Sequence, residues 1–194
     1  MIINLEDEQV VGVDLDGVII DHTQNKIRFA KRYGIDLTPE RTHAEFMEWY
    51  VDPERYKEIK GQIYEHSPEA LEAPLMEGAF DALARMKERG VTVYLISLQK
   101  NPMHALHLIE ERGLWGKYFT PENTYFAGDK EEKHHIALSL GVTHFVDDEP
   151  NVLDIMEHIP KRILFDNRSL FGRETDFLRA RNWNDVLELL EIGH

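Results

Sequence analysis

Cysteine is absent from this chain of 194 residues. Without it the protein forms no disulfide, builds no cysteine-ligated zinc site and has no thiol nucleophile. Such a composition is typical of proteins in a reducing cytoplasm, and we expect that location here. The sequence also lacks the run of about 18 apolar residues that a membrane-spanning helix needs. We therefore expect no association with a membrane.

Basic residues are scarce, because 22 lysines and arginines stand against 36 aspartates and glutamates and leave a net charge of −14. A broad nucleic-acid-binding surface needs clustered Lys and Arg to neutralise phosphates, so the composition argues against nucleic acid as a partner. A small anionic molecule stays compatible with the chain if its binding site supplies local positive charge, including a bound metal ion.

The order of the predicted elements indicates an α/β protein. After a first β-branched strand at residues 10–13, about fifty residues carry helical patterns, and from residue 75 strands and helices alternate. Such alternation predicts a Rossmann-like parallel sheet with helices on both faces. In sheets of this kind ligands bind at the carboxyl ends of the strands.

Six polar side chains lie at predicted strand ends or in the first turn of a predicted helix. They are Asp14, Asp16, Ser97, Lys133, Asp147 and Asp148. Since the carboxyl ends of parallel strands meet at one edge of the sheet, we expect these side chains to converge although they are far apart in sequence.

The chemistry of these six residues suits phosphate esters. Carboxylate oxygens are hard ligands, and Mg²⁺ uses a few of them together with water and substrate phosphate. A carboxylate can also attack phosphorus, and a second carboxylate two residues later can exchange a proton with the leaving oxygen. A hydroxyl and a lysine can bind the phosphoryl oxygens.

Some of these residues have plainer interpretations. The pair Asp147 and Asp148 can cap the following helix, a role that is compatible with metal binding. Lys130, three residues before Lys133, is the rival candidate for a phosphate contact. The large aromatic residues of the helical stretch can stack on a base or form the core of a small helical bundle; they are Phe46, Trp49, Tyr50, Tyr56 and Tyr64.

Four short stretches resemble the motifs of the haloacid dehalogenase-like superfamily in its phosphatase branch. "DLDGV" resembles the nucleophile motif, "VYLIS" the second motif, "KHHIALSLG" the third and "HFVDDEPN" the fourth. The resemblance implies that Asp14 is the nucleophile and that Asp16 is the general acid and base. It further implies that Ser97 and Lys133 bind phosphate and that the metal is held by Asp14, Asp16 and the acidic pair, with Asp148 favoured over Asp147.

The same resemblance implies the domain organisation and the activity. Residues 1–17 and 74–194 would form the α/β core, and residues 18–73 a helical cap that closes over the site and selects the substrate. The expected function is Mg²⁺-dependent hydrolysis of a small phosphomonoester through an aspartyl-phosphate intermediate, in a 5′-nucleotidase-like enzyme. A phosphomutase, a sugar-phosphate phosphatase and a non-catalytic binding protein of the same fold are the alternatives.

Overall fold

The computed structural model describes residues 9–172 and 176–192. The strands are β1 (Val10–Val13), β2 (Thr92–Leu98), β3 (Thr124–Ala127), β4 (His144–Asp147), β5 (Lys161–Phe165) and β6 (Leu178–Ala180). They form one sheet in the order β3-β2-β1-β4-β5-β6. Every pairing is parallel, and β1 lies between β2 and β4. The predicted α/β class with a Rossmann-like parallel sheet is confirmed.

Helices connect the strands and flank the sheet. The α-helices are α1 (Thr23–Arg32), α2 (Ala44–Met47), α3 (Pro53–Gly61), α4 (Ala79–Glu88), α5 (Pro102–Glu111), α6 (Lys130–Ser139), α7 (Pro150–Ile155) and α8 (Trp183–Leu189). Pro53 begins α3 directly after Asp52, whose side chain accepts a hydrogen bond from the backbone N–H of Arg55 at 3.1 Å. This is the N-terminal capping that favours a helix start.

Two hydrophobic clusters cover the two faces of the sheet. Val11 and Val13 of β1 are fully buried in the cluster that includes Trp183. The intervening Gly12 faces the other cluster, where a Cβ atom would lie 2.5 Å from the Phe145 ring. Successive residues of a strand point to opposite faces, and β1 is therefore apolar on both.

The segment between β1 and α4 contributes no strand to the sheet, and its regular structure is helical. Besides α1, α2 and α3 it contains two 3₁₀ turns and a π-helical turn, which are Pro39–Thr42, Pro68–Glu72 and Gln62–His66. It has its own buried cluster, in which Phe29, Met47 and Ile59 are almost completely buried. Thr38 precedes the first 3₁₀ turn, and its side chain makes no capping hydrogen bond.

The edge strand β6 was not predicted. It has only three residues, and it pairs with β5 through Leu178 opposite Ile163. Leu178 is exposed, so neither the length nor the apolar pattern of this stretch distinguishes it from a loop. In the described part of the chain, no helix has the length and apolar character needed to cross a membrane.

Candidate active site

All six side chains singled out in the sequence line one cavity at the carboxyl ends of β1, β2 and β4. The cavity has a volume of about 180 Å³ and is bounded by Asp14, Asp16, Ser97, Lys133, Asp147 and Asp148 on the sheet side. Lys130 points elsewhere, since its Nζ lies 3.5 Å from a Glu149 carboxylate oxygen and donates to Asn151 Oδ1 at 2.5 Å. Of the two rival lysines, the structure brings Lys133 to the acids.

Lys133 bridges two of the acids. Its Nζ donates to Asp14 Oδ1 at 2.5 Å and to Asp147 Oδ2 at 2.6 Å, and its side chain is almost completely buried. The lysine lies in the first turn of α6, which Asp129 caps by accepting from the backbone N–H of Glu132 at 2.8 Å. The start of α6 therefore sets where the ammonium group enters the site.

The two bridged acids and the lysine perturb one another's protonation. Burial, together with the carboxylates of Asp147 and Asp16, raises the pKa of Asp14 to about 7 against the opposing effect of the Lys133 ammonium. Although burial alone would lower it, the pKa of Lys133 is raised by the carboxylates of Asp14 and Asp147. The lysine therefore stays charged and offsets the negative charge of the cluster.

Asp16 is held by two donors from different parts of the chain. His22 Nε2 lies 3.0 Å from Asp16 Oδ1, and Gln99 Nε2 donates to Asp16 Oδ2 at 2.6 Å. Gln99 also lies 3.4 Å from the hydroxyl of Ser97, which is buried inside β2. Although burial alone would raise it, the pKa of Asp16 is lowered by hydrogen bonds from His22 and Gln99. In the protein without substrate, the pKa of Asp14 is thus raised and the pKa of Asp16 is lowered.

Asp148 lies directly against Gly17. A Cβ atom on Gly17 would be 2.1 Å from Asp148 Oδ2, and the backbone there has a φ of +85°. Across the described residues no donor forms a hydrogen bond with the Asp148 carboxylate, and His43 Nε2 lies 3.6 Å from Oδ2. Burial raises the pKa of Asp148 well above its usual range, and the carboxylates of Asp147 and Glu149 add to the shift.

This charge distribution fits a bound divalent cation. Four aspartates line the cavity beside one buried lysine, and within the described part of the chain no donor compensates the Asp148 carboxylate. Residues 9–172 and 176–192 contain no group of three or more His, Asp or Glu side chains arranged as a metal cage. Mg²⁺ does not need one, because it usually binds through one or two carboxylates and completes its shell with water and substrate phosphate. The donors present therefore fit Mg²⁺ rather than a transition metal.

The helical segment forms the opposite wall of the cavity. Its contribution is mostly apolar and aromatic, from Met47, Tyr56, Ile59, Ile63 and Tyr64, with the ammonium groups of Lys26 and Lys60 among them. Of the aromatic residues noted in the sequence, only Tyr56 and Tyr64 line it. Trp49 is 73% exposed and Tyr50 45% exposed, and both lie outside the cavity.

Three site residues were missed in the sequence. His22 and Gln99 bind Asp16, and Lys26 lines the cavity without an ion-pair partner in the described ranges. None of them belongs to a recognisable motif. The available clue is that Gln99, the first residue after β2, follows Ser97 at strand spacing, so an extended chain would direct both side chains to the same side.

Known proteins are similar to this chain in sequence and in fold. The family model described as "5' nucleotidase, deoxy (Pyrimidine), cytosolic type C protein" matches residues 8–193. A protein from Oceanobacillus iheyensis named "Putative nucleotidase" is 26% identical over 134 residues, which are 66% of this chain and 69% of that protein.

The solved structures that resemble the chain include hydrolases described as members of the haloacid dehalogenase superfamily or family. One, from Ehrlichia chaffeensis, has 16% sequence identity and a TM-score of 0.62, with 96% of this chain and 98% of that chain covered. Another, from Deinococcus radiodurans, was solved with bound phosphate and sodium; it has 14% identity and a TM-score of 0.66, with 96% and 97% covered. At such identities the likeness shows the fold.

Proposed function

Because this chain belongs to the family of cytosolic type C 5′-nucleotidases, and is thus a phosphatase of the haloacid dehalogenase-like superfamily, we propose that it hydrolyses nucleoside 5′-monophosphates in the cytosol with Mg²⁺ as cofactor. The observation that carries the proposal is the buried contact of Lys133 with Asp14, at 2.5 Å, beside the separately held Asp16. In this proposal Asp14 attacks phosphorus and Asp16 transfers the proton.

Phosphoryl transfer begins with Asp14. Its carboxylate attacks the phosphorus atom, the bond from phosphorus to the ester oxygen breaks, and an aspartyl phosphate forms on Asp14. Asp16, protonated in the complex with the negatively charged phosphate, would give its proton to the leaving oxygen, which departs as the alcohol. The hydroxyl of Ser97 and the ammonium group of Lys133 bind the phosphoryl oxygens, as their place in the cavity allows.

Hydrolysis then restores the enzyme. Asp16, now a carboxylate, takes a proton from a water molecule, and that water attacks the phosphorus of the aspartyl phosphate. Inorganic phosphate leaves, Asp14 is again a free carboxylate and Asp16 is again protonated. Asp14, Asp148 and the backbone carbonyl of Asp16 would hold Mg²⁺, with Asp147 acting through Lys133. The ion would supply positive charge that offsets the phosphate and the acids.

Residues 18–73 are proposed to act as a cap over a core of residues 1–17 and 74–194. The wall that they contribute to the cavity contains Tyr56 and Tyr64 and several aliphatic side chains, which suits a planar base and a sugar better than a strongly polar leaving group. The residues on the sheet side are occupied with phosphate chemistry. The choice of leaving group therefore falls to the cap.

The experiment that tests this function is phosphate release from a panel of nucleoside 5′-monophosphates and sugar phosphates. We expect turnover of nucleotides that requires Mg²⁺ and is lost in Asp14→Asn. Faster hydrolysis of sugar phosphates than of any nucleotide would refute the nucleotidase assignment and leave the phosphatase chemistry intact. Undiminished turnover by Asp14→Asn would instead refute the role given to this site.

A further inference from the structure

His22 connects the helical segment to Asp16. It is the residue before α1, it is buried, and its Nε2 lies 3.0 Å from Asp16 Oδ1. Its other ring nitrogen, Nδ1, lies 3.2 Å from Asn25 Nδ2 one turn along α1. The edge of the Tyr64 ring packs on the imidazole with a centroid distance of 5.4 Å. The ring is thus fixed on both nitrogens and packed from the side.

The hydrogen bonds of Asn25 determine which nitrogen of His22 carries the proton. Asn25 Nδ2 also donates to the backbone carbonyl of Ala70 at 3.1 Å, and Asn25 Oδ1 accepts from Arg28 at 2.7 Å. These two partners fix the orientation of the amide, so Asn25 presents an N–H to His22. Nδ1 of His22 must then accept, and the proton of the neutral ring lies on Nε2, facing Asp16.

We propose that His22 is a positioning residue that holds Asp16 for proton transfer, in a tautomer fixed by Asn25. The proposal rests on the proposed phosphatase function and deepens it. His22 binds Oδ1 through Nε2–H, and Gln99 donates to Oδ2 at 2.6 Å, so the carboxyl group is oriented by a donor at each oxygen. When Asp16 protonates the leaving oxygen it becomes a carboxylate, which the N–H of His22 stabilises.

The arrangement also makes proton transfer depend on the helical segment. His22, Asn25 and Tyr64 all belong to it, and so does Ala70. Asp16 itself belongs to the loop after β1. Gln99 holds Asp16 from the end of β2, but the second contact, from His22, exists only when the segment lies on the sheet as it does here. Closure of the cavity would therefore complete the proton-transfer group.

The distinguishing measurement is the dependence of kcat/KM on the leaving group. An alkyl leaving group needs a proton as its bond to phosphorus breaks, whereas p-nitrophenolate, a weak base, leaves without one. We expect His22→Leu to lower kcat/KM for methyl phosphate roughly ten- to a hundredfold more than for p-nitrophenyl phosphate, given the range of general acid catalysis. His22→Gln, whose amide can keep a donor near Asp16, should restore most of the difference.

A matched control is His104→Gln. His104 also contacts the helical segment, with Nε2 3.1 Å from the carbonyl of Ile63, but it does not line the cavity. We expect this variant to change both substrates equally. Equal losses on both substrates in His22→Leu would overturn the positioning role and leave only a structural one.

Two further results keep this inference separate from the proposed function. In the ¹⁵N spectrum of the wild-type protein, the neutral ring of His22 should carry its proton on Nε2, and Asn25→Ala should mix the tautomers. A neutral ring with its proton on Nδ1 in the wild type would overturn the proposal. If the wild-type protein hydrolysed neither phosphate ester, the proposed function would fail and the proposal with it. Normal hydrolysis with no leaving-group effect in His22→Leu would refute the proposal alone.

Discussion

The carboxylate of Asp148 occupies the place where a side chain on Gly17 would begin, because a Cβ atom there would lie 2.1 Å from Asp148 Oδ2. Gly17, in the first motif, therefore leaves the space that Asp148, in the fourth motif, occupies. It turns the chain after Asp16 with a φ of +85°, and it leaves room for an acid that has no hydrogen-bond donor in the described residues.

Gly17→Ala should weaken Mg²⁺ binding, because the added methyl group displaces the Asp148 carboxylate. We expect the apparent Mg²⁺ affinity from activity titrations to fall about tenfold or more, which corresponds to a loss of about 1.4 kcal/mol. Gly113→Ala is the matched control, since Gly113 has a φ of +67° and open space around its Cβ position. It should lower the melting temperature through similar backbone strain and leave Mg²⁺ affinity unchanged. Equal affinities in the two variants would exclude this role of Gly17.

Lys133→Ala and Lys130→Ala should differ sharply. Lys133 contacts Asp14 and Asp147 inside the cavity, whereas Lys130 pairs with Glu149 and Asn151 at its edge. Removing the charge beside the phosphoryl group should cost roughly 3–4 kcal/mol of transition-state stabilisation, a loss of about 10²–10³ in kcat. Single-turnover rates with saturating substrate measure this directly. If Lys130→Ala were the inactive variant, the placement of the third motif would be wrong.

Mg²⁺ should stabilise the protein more at pH 8 than at pH 6. Burial raises the pKa of Asp14 to about 7 and that of Asp148 above its usual range, so below pH 7 a proton competes with the cation for these oxygens. The rise in melting temperature on adding Mg²⁺ should therefore grow as the pH increases through 7. Asp14→Asn removes this competing proton and should flatten that part of the pH dependence. A Mg²⁺ effect that shrinks with rising pH would contradict the assignment of these ligands.

Tyr56→Leu should reduce the preference for the natural leaving group. Tyr56 lines the cavity, and a lost stacking contact is worth about 1–3 kcal/mol, or roughly five- to a hundredfold in kcat/KM. The loss should appear with a nucleoside monophosphate and be small with p-nitrophenyl phosphate. Trp49→Leu, at a position 73% exposed and outside the cavity, should leave the ratio of the two substrates unchanged. Parallel losses on both substrates in Tyr56→Leu would remove the specificity role.

The site residues that could be predicted from the sequence are those whose position follows from the order of strands and helices in the sheet. Asp14, Ser97 and Asp147 follow or end buried strands, and the alternation of strands and helices brings such ends together whatever the loops do. Lys133 could be assigned to the site because it lies in the first turn of the predicted helix before the strand that ends in the acidic pair. These inferences need only local patterns and the order of elements, and the structure brings all of these residues into one cavity.

The residues that the sequence could not identify depend on packing between distant parts of the chain. In the sequence, His22 and Asn25 look like ordinary residues at the start of a helix. Their role is visible only in the folded chain, where α1 packs against the loop after β1. In the same way, Trp49 and Tyr56 are both aromatic residues in helical patterns, but the packing of the segment buries Tyr56 and exposes Trp49. Helical periodicity indicates which residues share a face and not which face meets the active site.

The most direct test of the central claim is to trap the covalent intermediate on Asp14. Turnover of a good substrate with Mg²⁺ would be stopped by acid within a few milliseconds, and the digested protein analysed by mass spectrometry. The account predicts one phosphorylated peptide, the peptide that contains Asp14, with no phosphate trapped in Asp14→Asn. Phosphate on any other residue, or rapid turnover with no phosphorylated peptide while Asp14→Asn stays active, would contradict it.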